Sequence, residues 1–501
     1  MLASVLRAGA AGIGSPGSKQ EAVAARPACG STASRRWVAL PMPNPVRPVS
    51  PGANAMSSSK PASPRLVHVL RTLDQAGRPL TRSEIGKRAN ISRPTVSLLV
   101  DDLAQRGIVA RLRQEPREPN GDGADAPPVG RRPEVFRLTR QAGVLVGVDI
   151  GHSGIRVALA DSTGELLKKD GEESGKRDPV DVDALGPQAI DHAAALVAEL
   201  CTKWRVRPGL VRGIGLGLPA PLRVEADGPT VRQYVAGSTF MPGWHGVDVQ
   251  DAAVRALQNR VDPSIAADQV FIENDANIAA LGEATSGKAS DAQSVLYLKV
   301  SSGIGAGYVH NREIERGANG IALELGHMSL PLTSGALAHD PQHGAAVSDF
   351  VHGESPSQLR CPRCLKPNCM EVHASATAVL RRLQQDGLVG SDAQVSDVLE
   401  HAITDPGTAK HARLAITASG ERIGYVLAQA MTILDPDIVV VGGILSDAGE
   451  LLLQPIREAV RREGLGLVDT EIQLVSDRHL AGIRGALALV LLNTEPLLSV
   501  K

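Results

Sequence analysis

Aromatic side chains are nearly missing from this chain: four Phe, four Tyr and three Trp serve 501 residues. Its interior must come from Val, Leu, Ile and Ala, and its length fills two or three packed cores rather than one. No run of 18 or more apolar residues occurs, which excludes a membrane-spanning helix of the usual kind. Cysteine is scarce as well. Of the five, Cys29, Cys201, Cys361, Cys364 and Cys369, three fall within nine residues. That is too few and too clustered for the disulfide framework of a secreted protein, and it fits metal binding in a cytoplasmic one.

Acid is what the front of the chain lacks. Residues 1–59 hold six Lys or Arg and a single acid, Glu21, while residues 60–140 hold 16 basic against nine acidic residues. The remaining 361 residues carry a net −13. A basic front on an acidic body points to a nucleic-acid-binding module joined to something else, with a solvated basic surface as the plainer reading. Residues 1–62 are rich in Ala, Gly, Pro and Ser. They read as a disordered extension or as translation begun upstream of a start near Met56, with a transit peptide as the alternative.

Residues 63–140 read as a small DNA-binding fold. RLVHVLRTLDQAG spaces its apolar residues for a helix and stops at Gly77. TRSE is a capping box, Thr81 accepting the backbone N–H of Glu84 and Glu84 reaching back to Thr81. The helix it opens ends at Asn90. SRPTVSLLVDDLAQRG then begins with Ser92 as N-cap and Pro94 in the first turn, where a missing N–H is harmless. Val96, Leu99, Val100 and Leu103 form one stripe for burial. Two short helices joined by a tight turn describe a helix-turn-helix, whose second helix offers Arg93, Thr95 and Ser97 to the major groove of double-stranded DNA. IVARLR and EVFRLT read as the strands of a hairpin wing. Arg131 and Arg132, in the Pro/Gly-rich segment between them, stand where a wing tip meets the DNA backbone or the minor groove. A three-helix packing module is the blander alternative.

From Val144 the pattern becomes α/β, strands alternating with helices. VLVGVDIG, GIRVALAD and ELLKKD suggest a strand meander, followed by one helix over 182–204. VRGIGLGLPAPL and VFIEND are further strands ending in residues suited to a cleft. No single motif here is specific, but eight stand in one order: VGVDIG, GIGLGLPAP, GWHGVDV, ENDANIAALGE, SSGIGAG, ELGH, the cysteine cluster and VVVGGIL. On these, residues 144–495 resemble the ROK family (repressors, open reading frames, kinases), and the winged helix resembles its repressor branch. The resemblance implies an actin-like ATPase fold over 141–501, with two lobes closing on a central cleft.

ENDAN ends a strand and opens a helix, which places Asn274 and Asp275 at the cleft beside a helix N-terminus, as sugar ligands or as a helix cap. In related kinases the residue matching Asp275 is the general base and that matching Asn274 binds sugar. The resemblance adds Glu324, His327 and Glu371 as hydroxyl-binding groups, a polar set that suits a polyol.

CPRCLKPNCMEVH spaces its thiols as C-x2-C-x4-C, three donors for a tetrahedral structural zinc. By resemblance the ligands are Cys361, Cys364, Cys369 and His327, with His373 and His352 as alternatives for the fourth. A redox pair or buried free thiols are the rival readings. Two departures from the family stand out: two residues, not one, separate the first two cysteines, and 33 residues separate His327 from Cys361. The segment before the cluster therefore reads as an inserted loop.

The nucleotide half is mixed. Gly303, Gly305, Gly307, Gly442 and Gly443 are kept, as are Asp149 and Gly151, and Ser302 stands where the family usually has threonine, but the first hairpin carries His152 and Ser153 where a kinase would read nearer to DIGGT. The His152 ring fills room that glycine would leave for a γ-phosphate, so the ATP and magnesium site reads as degraded. The composite expectation is a cytoplasmic, sugar-responsive transcriptional regulator, a homodimer or homotetramer, with no membrane partner. An active sugar kinase and a protein-partner module are the rivals.

Overall fold

The structure, a computed structural model, describes residues 64–494 apart from 77, 114–133, 140–141, 228–229, 236–240, 332–359, 397–398, 400–405 and 467–469. The expected extension over 1–62, the proposed wing-tip residues Arg131 and Arg132, and His352 lie outside the described residues.

Local capping builds the front. Helix α1 (Pro64–Gln75) leads into the two-residue strand β1 (Leu80–Thr81). Thr81 then accepts the N–H of Glu84 at 3.2 Å and donates its own N–H to the Glu84 carboxylate at 2.8 Å, which starts α2 (Arg82–Ala89). Asn90, at φ 52°, ends it in the left-handed region. Helix α3 (Arg93–Gln105) follows, with Pro94 in its first turn. Ser92 precedes it at the N-cap position, but its hydroxyl bonds the Thr95 hydroxyl at 2.8 Å and not a backbone N–H. Val96, Val100 and Leu103 are fully buried, whereas Leu99 is half-buried. They pack on Leu66, Leu70 and Phe136 in one cluster. Strands β2 (Val109–Arg113) and β3 (Glu134–Leu138) pair antiparallel as the wing, and β1 adds to β3.

The body holds two five-stranded sheets. Strands β4 (Val144–Gly151) and β5 (Gly154–Ala160) form the opening hairpin. ELLKKD does not supply the third strand. Asp170 and Gly171 both take positive φ, 52° and 81°, the turn that a two-residue hairpin prefers. The chain therefore doubles back after β6 (Lys168–Lys169) onto β7 (Glu172–Glu173), an exposed ribbon with opposite charges across it. The third strand beside β5 is instead β8 (Lys176–Asp178). The single helix expected over 182–204 is two, α4 (Val182–Leu185) and α5 (Gln188–Lys203), broken where Gly186 takes φ 58° ahead of Pro187. Strand β9 (Val211–Leu218), the ribbon β10 (Leu222–Asp227) with β11 (Thr230–Val235), α6 (Val249–Arg260), β12 (Val270–Asn274) and α7 (Asp275–Ser286) complete this half, with sheet order β12-β9-β4-β5-β8.

The second half comprises β13 (Ser294–Val300), β14 (Ile304–His310), β15 (Glu313–Ile314), α8 (Met370–Ala374), α9 (Ala376–Gln385), α10 (Pro406–Leu434), β16 (Ile438–Gly442), α11 (Glu450–Glu463), β17 (Glu471–Leu474) and α12 (Ala481–Asn493), with sheet order β15-β14-β13-β16-β17. Helix α7 packs on the second sheet through Ile278, Ala279, Tyr297 and Val309, and α12 on the first through Ile483, Leu487, Leu145 and Ala158. The two helices meet almost backbone to backbone: a methyl at Gly485 would overlap the Ile278 carbonyl, and one at Gly282 the Ala481 carbonyl.

One ion pair fastens the front to the body. Arg212, on β9, is wholly buried and holds Asp74 of α1 through Nη1 and Nη2, each at 3.0 Å. Its Nε also donates to the Thr494 hydroxyl at 2.8 Å, just past the end of α12.

Candidate functional site

A cavity of about 570 Å³ opens between the two halves at the ends of β4, β9, β12 and β13. Asn274 and Asp275 line it where β12 turns into α7, because the Asn274 side chain accepts the N–H groups of Ala276 at 2.9 Å and Asn277 at 3.2 Å. Asn274 is thus a helix cap at the rim of the cavity. Asp275 is nearly buried and accepts a hydrogen bond from the ammonium of Lys299 at 2.7 Å. Burial opposes the charge of Lys299, yet Asp275 and Asp149 together hold its ammonium above the ordinary lysine range. Sequence reasoning missed Lys299. Its signal was a lysine near the end of the largely apolar run VLYLKV, two positions before SSGIGAG.

Of the other expected hydroxyl-binding groups, Glu324 lines the cavity. Burial pushes its carboxyl up to about 7, Glu371 and Asp275 pushing the same way and Arg363 against them. Glu371 is buried and accepts the backbone N–H of Ile304 at 3.0 Å, beneath the hairpin at Gly303 that lines the cavity. His327 turns Nε2 toward Glu324, 3.7 Å away, and Nδ1 toward the cysteines.

The first hairpin is bridged by its own histidine. His152 Nδ1 lies 2.8 Å from Asp183 of α4, and Nε2 lies 2.8 Å from Nη2 of Arg363. Arg363 is one of the two residues between Cys361 and Cys364, and it brings a guanidinium into the cleft. Gly151, Ser153, Ser302, Gly303, Gly305 and Gly443 also line the cavity. Gly442 instead faces the buried Tyr297 hydroxyl, which a methyl there would overlap. Asp149 is buried, its carboxylate 3.4 Å from Arg156 and close against Gly482 of α12. A guanidinium therefore already sits beside the carboxylate that would organise magnesium in a kinase.

His327, Cys361, Cys364 and Cys369 bring one donor atom each within 4.8 Å of one another. Nδ1 of His327 is 3.3 Å from the Cys369 sulfur and 3.8 Å from that of Cys361, straddling the roughly 3.6 Å that Zn–N and Zn–S bonds at a tetrahedral angle require. The donor set fits a metal ion with no open position. Burial and the neighbouring thiols push the Cys369 thiol up, a cost that a divalent cation reverses by stabilising thiolate. His373 is not part of the cluster; it bonds the Pro367 carbonyl at 2.8 Å.

On the winged helix, Ser92 and Arg93 are exposed at the start of α3, with Thr95 and Ser97 half-buried beside them. Among the described residues no helix is long and apolar enough to cross a membrane.

Two lobes around a polar cleft, a closed His/Cys3 cluster and a winged helix in front define a class, and comparison with known proteins agrees with it. The ROK family profile matches residues 145–492, and that of the MarR family matches residues 63–115. The chain belongs to the ROK family. It is 26% identical over 438 residues to a putative xylose repressor of Caldicellulosiruptor sp. (strain Rt8B.4), covering 83% of this chain and 92% of that one. It is 29% identical to a glucokinase of Halalkalibacterium halodurans, covering 62% of this chain and 84% of that one. Among solved structures, a ROK family transcriptional regulator described as a homolog of the E. coli MLC protein aligns with TM-score 0.57 at 19% identity, covering 85% of this chain and 95% of that one, a likeness of fold.

Proposed function

We propose that this protein is a sugar-responsive transcriptional repressor of the cytoplasm. Its winged helix binds operator DNA as part of a homodimer, a saccharide occupies the cleft, and a zinc ion held by His327 and the three cysteines fixes the cleft wall. The observation that carries the reading is Arg212, which is buried in the cleft-bearing body and clamps the first helix of the winged-helix front. Ligand closure of the cleft then changes DNA affinity only by the ligand's differential affinity for the two states. The relatives named as xylose repressors put xylose at the head of the panel to test. Operator binding, by footprinting with the purified chain, weakens when the matching sugar is added and falls steeply with salt. Footprints that no sugar shifts overturn the sensor half of the reading.

The glucokinase relatives and the retained Asp275 favour a second reading, an ATP-dependent sugar kinase. Against it, Lys299 engages the would-be base and His152 with Arg363 spans the first phosphate hairpin. Turnover in an ATP-coupled assay, abolished by Asp275→Asn, promotes the kinase.

A further inference from the structure

Helix α3 carries an apolar side chain that its own fold does not use. Leu98 is 74% exposed, and among the described residues of the winged helix no other large apolar side chain is so exposed. At 100° per residue it lies roughly 190° around the helix from the buried direction of Val96, Val100 and Leu103, so it marks the middle of the outward face. A single exposed leucine is ordinary on a protein surface. On the second helix of a helix-turn-helix, the same position faces the major groove.

The surroundings agree with that partner. The first turn of α3 holds no acid. The acids that follow are paired: Asp101 with Arg82 at 2.9 Å and Arg111 at 2.6 Å, Asp102 with Arg106 at 3.4 Å. Arg93 and Pro94 are exposed one turn ahead of Leu98. The outward face of the first two turns is thus basic, hydroxylated and apolar, without an uncompensated carboxylate to repel phosphate. Base edges in the major groove are donors and acceptors with one exception, the C5-methyl of thymine.

The geometry points to Leu98 as a reader of sequence: its isobutyl group packs on the C5-methyl of a thymine in each site that α3 occupies. This inference rests on the DNA-binding reading above and adds to it a residue outside the polar set Arg93, Thr95 and Ser97. Leu98 against a methyl buries apolar surface on both sides, whereas against the edge of any other base it desolvates donors and acceptors without replacing their hydrogen bonds.

The test uses the full chain and duplexes that it enriches from a random-sequence pool. Each thymine of an enriched duplex is replaced in turn by deoxyuridine, which removes only the methyl. Replacement at one thymine per bound helix weakens the wild-type complex about fourfold, the affinity that one buried methyl carries. Leu98→Ala weakens the thymine duplex to a similar degree and is indifferent to the replacement. The inference is overturned if no thymine responds, or if the replacement costs Leu98→Ala as much as wild type. It is equally overturned if Leu98→Ala changes the sedimenting mass while leaving duplex affinity intact, for the leucine then serves a contact between chains. Failure to enrich any duplex removes the DNA-binding reading along with it, whereas a tight duplex without a responsive methyl removes this inference alone.

Discussion

Arg212 holds both carboxylate oxygens of Asp74 at 3.0 Å across 138 positions of chain, with its own side chain fully buried and that of Asp74 11% exposed. Removing one partner of such a pair strands a charge. Asp74→Asn should cost about 3–5 kcal/mol in urea unfolding, and Arg212→Met combined with Asp74→Leu should recover most of it. A loss under about 1 kcal/mol for Asp74→Asn would show that the pair does not fasten the two halves.

Arg363 ties the cysteine segment 361–369 to the first hairpin without being one of the four converging donors. Arg363→Met should speed amide exchange at residues 152–154 about tenfold and leave the metal content unchanged. Unaltered exchange would mean that Asp183 alone holds His152.

The cluster of one histidine and three cysteines should bind about one zinc per chain, measured by elemental analysis. Cys369→Ser should lose the metal and lower the thermal midpoint. Because His327 turns its other nitrogen toward Glu324, the same variant should bind saccharide more weakly in calorimetry. Full saccharide affinity in a metal-free variant would separate the two sites.

The capping box makes the winged helix pH-dependent. The Thr81 backbone N–H and then the Arg78 guanidinium hold the Glu84 carboxyl down to about 2, from 4.5. A folded value below the unfolded one means that the stabilisation is complete above pH 4.5 and is lost as pH falls toward 2. The Glu84 side chain is 36% exposed, so solvent screens it, and Glu84→Gln should cost about 0.5–1 kcal/mol at pH 7, with the gap to wild type closing over that window. A gap that is the same at pH 7 and pH 3 would rule out the carboxylate as its source.

What was legible in the sequence was local or carried by motif. The Thr81–Glu84 box spans four residues, and the cysteine spacing plus ELGH pointed to four donors that do converge. The failures came where local chemistry outweighed pattern. ELLKKD looks like a strand, but the Asp170–Gly171 turn reverses it. Asn274, read as a sugar ligand with a cap as the alternative, is not such a failure: it lines the cavity and also caps α7 through its side-chain oxygen. The contacts that characterise this cleft, Lys299 with Asp275 and Arg363 with His152, join residues 24 and 211 positions apart. No periodicity announces such pairs, because they exist only once the two sheets face each other.

The glycine crossing of α7 and α12 has a mechanical consequence. With no side chain between them at Gly282 and Gly485, the two helices touch backbone to backbone, and any larger residue at either position would push them apart. One end of α12 carries cavity residues Ala481 and Gly482; the other reaches Thr494, against the arginine that grips Asp74. A shift of α12 at the cleft would therefore be felt at the Arg212–Asp74 pair, where the winged helix joins the body.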